Sequence, residues 1–478
     1  MMPKKIITRF APSPTGSLHV GSLRTALYNY LFAKKNQGNF LLRIEDTDQE
    51  RKVEGASENL KIILKQFGLT WDNKKVMVQS ERLKEYQQAA QELIKKEKAY
   101  YCFCSKERLD NLRKVQQQKG LPPMYDGCCR DLPAAETKAK LTAKTPYVIR
   151  FKIPRTGQTE FTDLIRGQVT FDNKLLDDPI ILKSDGFPAY HLASVVDDHD
   201  MATTHVFRGE EWLPSTPKHI LLYQAFGWQP PEFAHLPLLL NPDRSKLSKR
   251  QGDVAVEDFL KKGYLPEALL NFVLLLGWNP GTDQEIFSNL EEMAKAFDLE
   301  KVNKSGAVFD TQKLDWLNGQ YIRQKPLPEL AKLCQPFFAE VGIKADLKSL
   351  EKIVATEHER IKKLSDIVPV TEFFFKEPTY EPKLLIWKKI DKNQTADNLK
   401  ILKEFLENLA EKKWQKKDLE EEIIGLIKEK GRGVGDMLWP MRVALSGRQA
   451  SPGPFEIAEV LGKTESLKRI QKAIDLLK

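Results

Sequence analysis

No apolar run in the sequence approaches the roughly 20 residues that a membrane-spanning helix needs. The first residues, Met1-Met2-Pro3-Lys4-Lys5, pass straight into a strand-like segment and leave no room for a signal peptide. The expectation is a cytoplasmic chain with no membrane partner. Cysteine is scarce, five in 478 residues, and four of the five cluster at Cys102, Cys104, Cys128 and Cys129. That clustering excludes the dispersed disulfide framework of a secreted protein and leaves two readings, a local metal site or inert thiols. Internal repeats and low-complexity tracts are absent. So is the pattern G-x-x-x-x-G-K-[ST], which excludes an ordinary P-loop.

What is present describes an ordinary globular protein. Apolar residues make up 41% and charged residues 29%, which excludes disorder, and the length calls for two to four domains. Lys and Arg total 75 against 66 Asp and Glu, a formal charge of +9. This modest excess is compatible with a polyanionic partner without demanding one.

The first hundred residues alternate strand and helix patterns: strands over 6–10 and 40–44, helices over 20–33, 59–67 and 83–94. This is the pattern of a parallel α/β layer. From Tyr100 to about Asp185 the texture changes to cysteines, prolines and short β-rich runs at 147–151 and 169–171, an insertion with its own small fold. Strand and helix patterns then resume to Leu240. From about Gln324 onward the apolar spacing is helical, as at Trp414, Leu419, Ile423 and Ile427.

Two polar loops interrupt the α/β part. The stretch Pro12 to Ser22 turns tightly through Pro12, Pro14 and Gly16 and delivers the chain to a helix N-terminus, where free N–H groups favour an anion. His19 there is either a donor to a phosphate oxygen or, more simply, a turn histidine that caps the helix. Far downstream, Arg244-Ser245-Lys246-Leu247-Ser248-Lys249-Arg250 packs cations suited to following a polyphosphate, although most charge runs are solvated faces. The two loops together are more specific than either alone.

Taken as a pair, His19-Val20-Gly21-Ser22 and Lys246-Leu247-Ser248-Lys249-Arg250 resemble the two signature motifs of class I aminoacyl-tRNA synthetases. The surrounding TRFAPSPTGSLHVGSLRTALYNYLFA, LLRIEDTD, YHLASVVDDH and FRGEEWLPSTPKH are similar to bacterial-type glutamyl-tRNA synthetases, and MLWPMRVALSGRQASPGPFEIAEVLG resembles that family's helical anticodon-binding region. The resemblance implies a Rossmann-like α/β catalytic domain with an α+β insertion, followed by an all-α C-terminal region. It divides the chain at 1–100 and 188–252 (the two catalytic halves), 101–187 (an acceptor-end-binding insertion), 253–322 (a stem-contact helical domain) and 323–478 (an anticodon-binding domain).

The activity so implied joins L-glutamate to ATP, releases pyrophosphate and passes glutamate to the terminal adenosine of tRNA-Glu, with tRNA-Gln as an open second acceptor. His19, Ser22, Lys246 and Lys249 would carry the catalysis, and His19, Gly21, Glu211 and Lys249 would meet ATP, which arrives with Mg²⁺ held largely by phosphates and water. Arg9, Ala11, Ser13, Glu45, Tyr190, Ser194 and Arg208 would form the glutamate pocket. Guanidinium groups suit two carboxylates and a carboxylate suits the ammonium. Read without the family, Arg9 beside a strand is a surface ion pair. Ser194 departs from the asparagine that many relatives carry, which leaves its glutamate contact open.

Some relatives hold one structural zinc in the insertion through Cys-x-Cys, a 24-residue gap and Cys, a spacing matched by Cys102, Cys104 and Cys129. The fourth ligand falls to Tyr125 or Asp131, with Cys128 as a further option, and reduced thiols without metal remain the rival. His191, His199, His205, His219 and His235 do not repeat at ligand spacings and read as core, surface and capping residues. The other functions weighed are an enzyme that glutamylates a modified tRNA base, which lacks the C-terminal helical region, glutaminyl-tRNA synthetase, and a silent RNA-binding relative. The chain is expected to be a monomer.

Overall fold

The computed structural model describes residues 5–51, 53–247 and 254–478. It divides into two compact units, Met1–Leu260 with Leu269–Thr311, and Lys261–Ala268 with Gln312–Lys478.

The first unit opens with strand β1 (Ile7–Phe10), helix α1 (Val20–Lys35), β2 (Asn39–Ile44), α2 (Ala56–Gln66), β3 (Met77–Val78) and α3 (Leu83–Lys95). The elements expected from periodicity are therefore present, with no end displaced by more than three residues. Strands β1, β2 and β3 pair in parallel in that order. Helix α1 forms because Leu23, Leu27 and Leu31 repeat on one buried face, while Lys34 and Lys35 complement the dipole at its C-terminal turn. Each such fully buried leucine stabilises the unit by about 1.5–3 kcal/mol relative to exposure.

The chain continues through β4 (Ala99–Cys102), two exposed helices, α4 (Lys106–Gln118) and α5 (Ala134–Thr142), and β5 (Val148–Phe151). The hairpin β6 (Gln158–Asp163) and β7 (Gly167–Asp172) follows, then β8 (Ile180–Leu182). Strands β4, β5 and β8 make a small antiparallel sheet with Cys102 at the end of β4. Helix α6 (Tyr190–Asp200), β9 (His205–Gly209), α7 (Thr216–Phe226) and β10 (Glu232–Leu236) complete the α/β layer. Strand β10 pairs in parallel with β9 on one side and with β6 on the other, giving the order β7-β6-β10-β9. The hairpin of the inserted stretch thus joins the sheet of the second half.

The two sheets meet where Thr204 donates its N–H to Ile7 O at 2.9 Å and accepts from Ile7 N at 2.8 Å through its hydroxyl. That junction places the C-terminal ends of β1 and β9 side by side, where open α/β sheets bind ligands.

The second unit is helical among the described residues, with helices at Leu327–Glu340, Leu347–Ala355, Lys392–Asn408, Lys416–Glu429, Val434–Ser446 and Pro454–Leu476. Its core stacks Leu399, Leu402, Leu406, Ile423, Ile427, Met441 and Ile470. Trp414 departs from the expected helix: it sits in the turn before Lys416–Glu429, and its indole N–H donates to Ala458 O at 2.8 Å. Packing and this bond, rather than helical periodicity, account for an apolar residue there. Among the described residues no helix is long and apolar enough to cross a membrane.

Candidate active site

A cavity of about 500 Å³ opens over the ends of β1, β2 and β9. Its lining includes Arg9, Ala11, Ser13, His19, Gly21, Ser22, Glu45, Tyr190, Arg208, Glu211 and Lys246, so the structure brings together residues that lie far apart in the chain. Ser194 is not in the lining; it is buried on α6, and its hydroxyl has no hydrogen-bond partner among the described residues. Lys249 and the rest of Ser248–Arg250 lie outside the described residues.

The floor is the turn before α1. Gly16 holds φ at 131°, a conformation that L side chains rarely adopt. His19 is the N-cap of α1, and its Nδ1 accepts from Gly21 N at 2.9 Å. The simple capping reading is therefore correct as geometry, and it carries a chemical consequence. With Nδ1 accepting, a neutral imidazole carries its proton on Nε2, which makes that nitrogen the donor of the ring. A Cβ at Gly21 would stand 3.2 Å from His19 Nδ1, which is why this position favours glycine. The flanks of the second loop are stitched to the same floor. Leu247 N bonds Leu239 O at 2.9 Å, while Val20 N bonds Val254 O and Val256 N bonds Leu18 O.

One side wall is charged. Arg9 is not a surface ion pair but a buried one, 4% exposed, because Asp198 on α6 faces it from inside the layer. Asp198 Oδ1 accepts from Arg9 Nε at 2.8 Å and Oδ2 accepts from Arg9 Nη2 at 3.2 Å. Asp198 Oδ1 also accepts from Arg43 Nη1 at 2.6 Å, and Arg43 Nη2 donates to Glu45 at 2.8 Å. The neighbouring Asp197 accepts from Arg82 at 3.0 Å, Gln79 at 2.8 Å and Tyr86 at 2.9 Å. Burial alone would raise the Asp198 carboxyl, but the charges of Arg9 and Arg43 outweigh it and hold Asp198 below its usual range. For Glu45 burial wins over the pull of Arg43, and its carboxyl is raised.

The opposite wall is built from neutral acceptors. Arg208 donates from Nε to His235 Nε2 at 3.0 Å, from Nη1 to Tyr190 at 2.9 Å, and from Nη2 to Thr216 at 2.8 Å and Trp212 O at 3.4 Å. His235 in turn donates from Nδ1 to Asp163 at 2.6 Å, at the end of β6. Burial first, with the Arg208 charge, lowers the His235 pKa against the opposing bond to Asp163 and keeps the ring neutral. Tyr190 packs at a tilt against Trp212, with ring centroids 4.4 Å apart, and His191 and His219 pack behind it, 3.1 Å apart.

The two guanidinium groups therefore differ in what they have left to give. Each has five N–H donors. Arg208 commits four of them, whereas Arg9 commits two and keeps the Nη1–Nη2 edge, the fork that fits a carboxylate bidentately.

The comparisons with known proteins agree with this geometry. The model for the catalytic domain of class I tRNA synthetases (E and Q) matches residues 5–316, and an anticodon-binding domain model matches 329–474. The glutamate–tRNA ligase of Clostridium botulinum is 48% identical over 100% of this chain and 99% of its own length. The chain belongs to the glutamate–tRNA ligases of class I. The glutamate–tRNA ligase of Chlorobium phaeobacteroides is 44% identical over 99% of both chains. A crystal structure of a glutamate tRNA ligase from Elizabethkingia meningosepticum, in complex with its amino acid, superposes with a TM-score of 0.91 at 38% identity, covering 99% of this chain and 100% of that one. This glutamate–tRNA ligase fold is accordingly a Rossmann-like catalytic domain with an α+β insertion and an all-α anticodon-binding region.

Away from the cavity, Cys102, Cys104 and Cys129 bring their sulfurs within 4.8 Å of one another, an arrangement that can hold a metal ion. The Tyr125 hydroxyl lies 3.3 Å from Cys102 and 3.6 Å from Cys104. Asp131 is elsewhere, 70% exposed and paired with Arg155, and Cys128 is exposed and outside the cluster. The histidines between 191 and 235 form separate local contacts: His199 stacks on Trp228, and His205 bonds Thr204.

Sequence reasoning assigned no role to Arg43, Asp197, Asp198 or Asp163, and read His235 only among the core, surface and capping histidines. The signal was available: Asp197-Asp198 follow an apolar helical run, and charged residues there are buried only when paired.

Proposed function

We propose that this chain ligates L-glutamate to tRNA-Glu, first forming glutamyl-adenylate from ATP and then esterifying the terminal adenosine of the tRNA. The single observation that carries the reading is the shared cavity: an uncommitted arginine fork, a second arginine and a carboxylate surround a space floored by a helix N-terminus and its histidine.

In the first step an oxygen of the glutamate carboxylate attacks the α-phosphorus, and the bond to pyrophosphate breaks. Positioning and charge stabilisation supply most of the rate. Arg9 and Arg208 meet the two substrate carboxylates, Glu45 takes the ammonium, and Ala11, Ser13 and Tyr190 shape the pocket. Ser194, one helical turn from Tyr190, serves glutamate only if its hydroxyl reaches the pocket. His19 donates from Nε2 to the triphosphate beside Gly21, Ser22 and the helix N-terminus, with Glu211 on the ATP side. Lys246 and Lys249 follow the departing pyrophosphate, and Mg²⁺ enters with the nucleotide. In the second step the ribose hydroxyl attacks the acyl carbon and AMP leaves.

The domain roles follow the same reading: residues 101–187 receive the acceptor end, 253–322 the stem and 323–478 the anticodon, in a cytoplasmic monomer. Structural zinc fits the thiol cluster, because three sulfurs and the neighbouring Tyr125 hydroxyl would supply four donors, whereas the Asp131 carboxylate is taken by Arg155. Metal analysis of the purified protein and of Cys129→Ser tests this, with about one zinc per chain expected and its loss in the variant. Charging purified tRNA-Glu and tRNA-Gln in parallel with labelled glutamate tests the function. Failure to charge either tRNA would sink it.

A further inference from the structure

We propose that Asp198 is the positioning residue for amino-acid recognition, setting the cation and the anion of the glutamate pocket from a single buried carboxylate. The inference rests on the glutamate reading above and deepens it. Asp198 is 3% exposed and does not line the cavity, so it touches no substrate there. Its contacts nevertheless reach both charged ends of the pocket. Toward β1 it binds the Nε–Nη2 edge of Arg9, through 2.8 and 3.2 Å bonds. Occupying that edge leaves Nη1 and the outer Nη2 hydrogen of Arg9 as the edge presented to the cavity. Toward β2 it holds Arg43 Nη1 at 2.6 Å, and the same guanidinium, fully buried, grips Glu45 with Nη2 at 2.8 Å. Arg43 is planar and rigid, so fixing one Nη fixes the other. The position of Glu45 is thereby tied to the position of Arg9 through one carboxylate.

The arrangement explains an otherwise costly burial. Two arginines and three acids sit in the interior of the layer, and a buried ion pair is weak support for stability by itself. It is better understood as a device for orientation, because Asp198 accepts three hydrogen bonds from two arginines that stand on neighbouring strands. Asp197, next to it on α6, hydrogen-bonds Arg82, Gln79 and Tyr86, lies 3.6 Å from Arg43 Nε, and has no hydrogen bond to Arg9 or Glu45. This gives an internal control within one network.

The test is steady-state tRNA charging by Asp198→Asn, with glutamate and ATP varied separately, beside Arg82→Gln at the Asp197 end. Asp198→Asn replaces an accepting oxygen with a donor that faces an arginine. It is expected to raise KM for glutamate by about 10- to 100-fold, the range of a lost charge-assisted bond, with KM for ATP within about twofold. Arg82→Gln lowers thermal stability yet leaves both KM values within about twofold. Should Asp198→Asn fail to fold, Arg43→Lys keeps the charge facing Asp198 and removes the link to Glu45, and it carries the same expectation. A glutamate KM within twofold of the parent, or equal rises for glutamate and ATP, overturns the proposal. A parent enzyme that charges no tRNA with glutamate overturns the functional reading instead.

Discussion

The two walls of the cavity each hold an arginine, and they do so by opposite means. Arg9 is locked by a buried carboxylate that it shares with Arg43, whereas Arg208 is surrounded by neutral acceptors, a histidine, a tyrosine, a threonine and a carbonyl. One arginine has its charge compensated and its fork open; the other keeps its charge and has spent its donors. Charge compensation from behind thus buys directional binding, and neutral support provides an electrostatic contact with one N–H to spare.

Removing the charged wall should do the most damage. Arg9→Gln loses the fork and leaves Asp198 with one cation fewer, and a buried group stripped of its partner costs about 3–5 kcal/mol. The expected result is a fall of about 1,000-fold in kcat/KM for glutamate, read by charging kinetics, with tRNA affinity preserved. His19 belongs to the floor and calibrates both walls. His19→Ala should slow pyrophosphate exchange by about 100- to 1,000-fold while tRNA binding, measured by filter retention, stays unchanged. Equal losses in both, with folding intact, would return His19 to a cap and nothing more. Arg208→Lys keeps the charge that the neutral wall supplies and removes its bonds to His235 and Thr216. A loss of about 10- to 100-fold in glutamate kcat/KM is expected, less than for Arg9→Gln. An equal or larger loss would show that the spent donors of Arg208 matter as much as the open fork.

Acid separates the walls more gently. Burial, with the charges of Lys218 and Arg208, lowers the His191 pKa to about 3, below its ordinary 6.5, and burial likewise lowers His219 and His235. The unfolded chain therefore takes up protons first, and stability is lost as pH falls from about 6.5 toward 3. The Asp198 carboxyl, held below its usual range, keeps the Arg9 wall charged across most of that window. Thermal melts from pH 7.5 to 5 should show a declining midpoint, and His191→Gln should flatten the decline.

The sequence made the residues that touch the cavity legible and concealed those that hold them. His19, Glu45, Arg208 and Lys246 lie in polar loops or at strand ends, where a charged residue has no packing reason to be present. Asp198 and His235 sit within apolar helix and strand patterns, and their partners are distant in the chain: Arg9 lies 189 positions from Asp198, and Asp163 lies 72 from His235. Periodicity reports which face of an element is buried, but not which buried charges meet. The same limit applies to the candidate metal ligands. Spacing selected Cys102, Cys104 and Cys129, yet only the fold separates Tyr125, beside the sulfurs, from Asp131, turned to Arg155. Helical spacing also foretold the second unit, except at Trp414, where a side-chain bond to Ala458 fixes a turn.

The central claim is that this cavity recognises glutamate through an oriented pair, the Arg9 fork and Glu45, and activates it for transfer to tRNA. The most direct test is charging of purified tRNA-Glu with labelled glutamate by the parent and by Arg9→Gln at limiting and saturating glutamate. The expected result is ATP-dependent glutamyl-tRNA formation by the parent and a variant whose defect is far greater at limiting than at saturating glutamate. No glutamyl-tRNA from the folded parent, or a variant equally impaired at both concentrations, would contradict it.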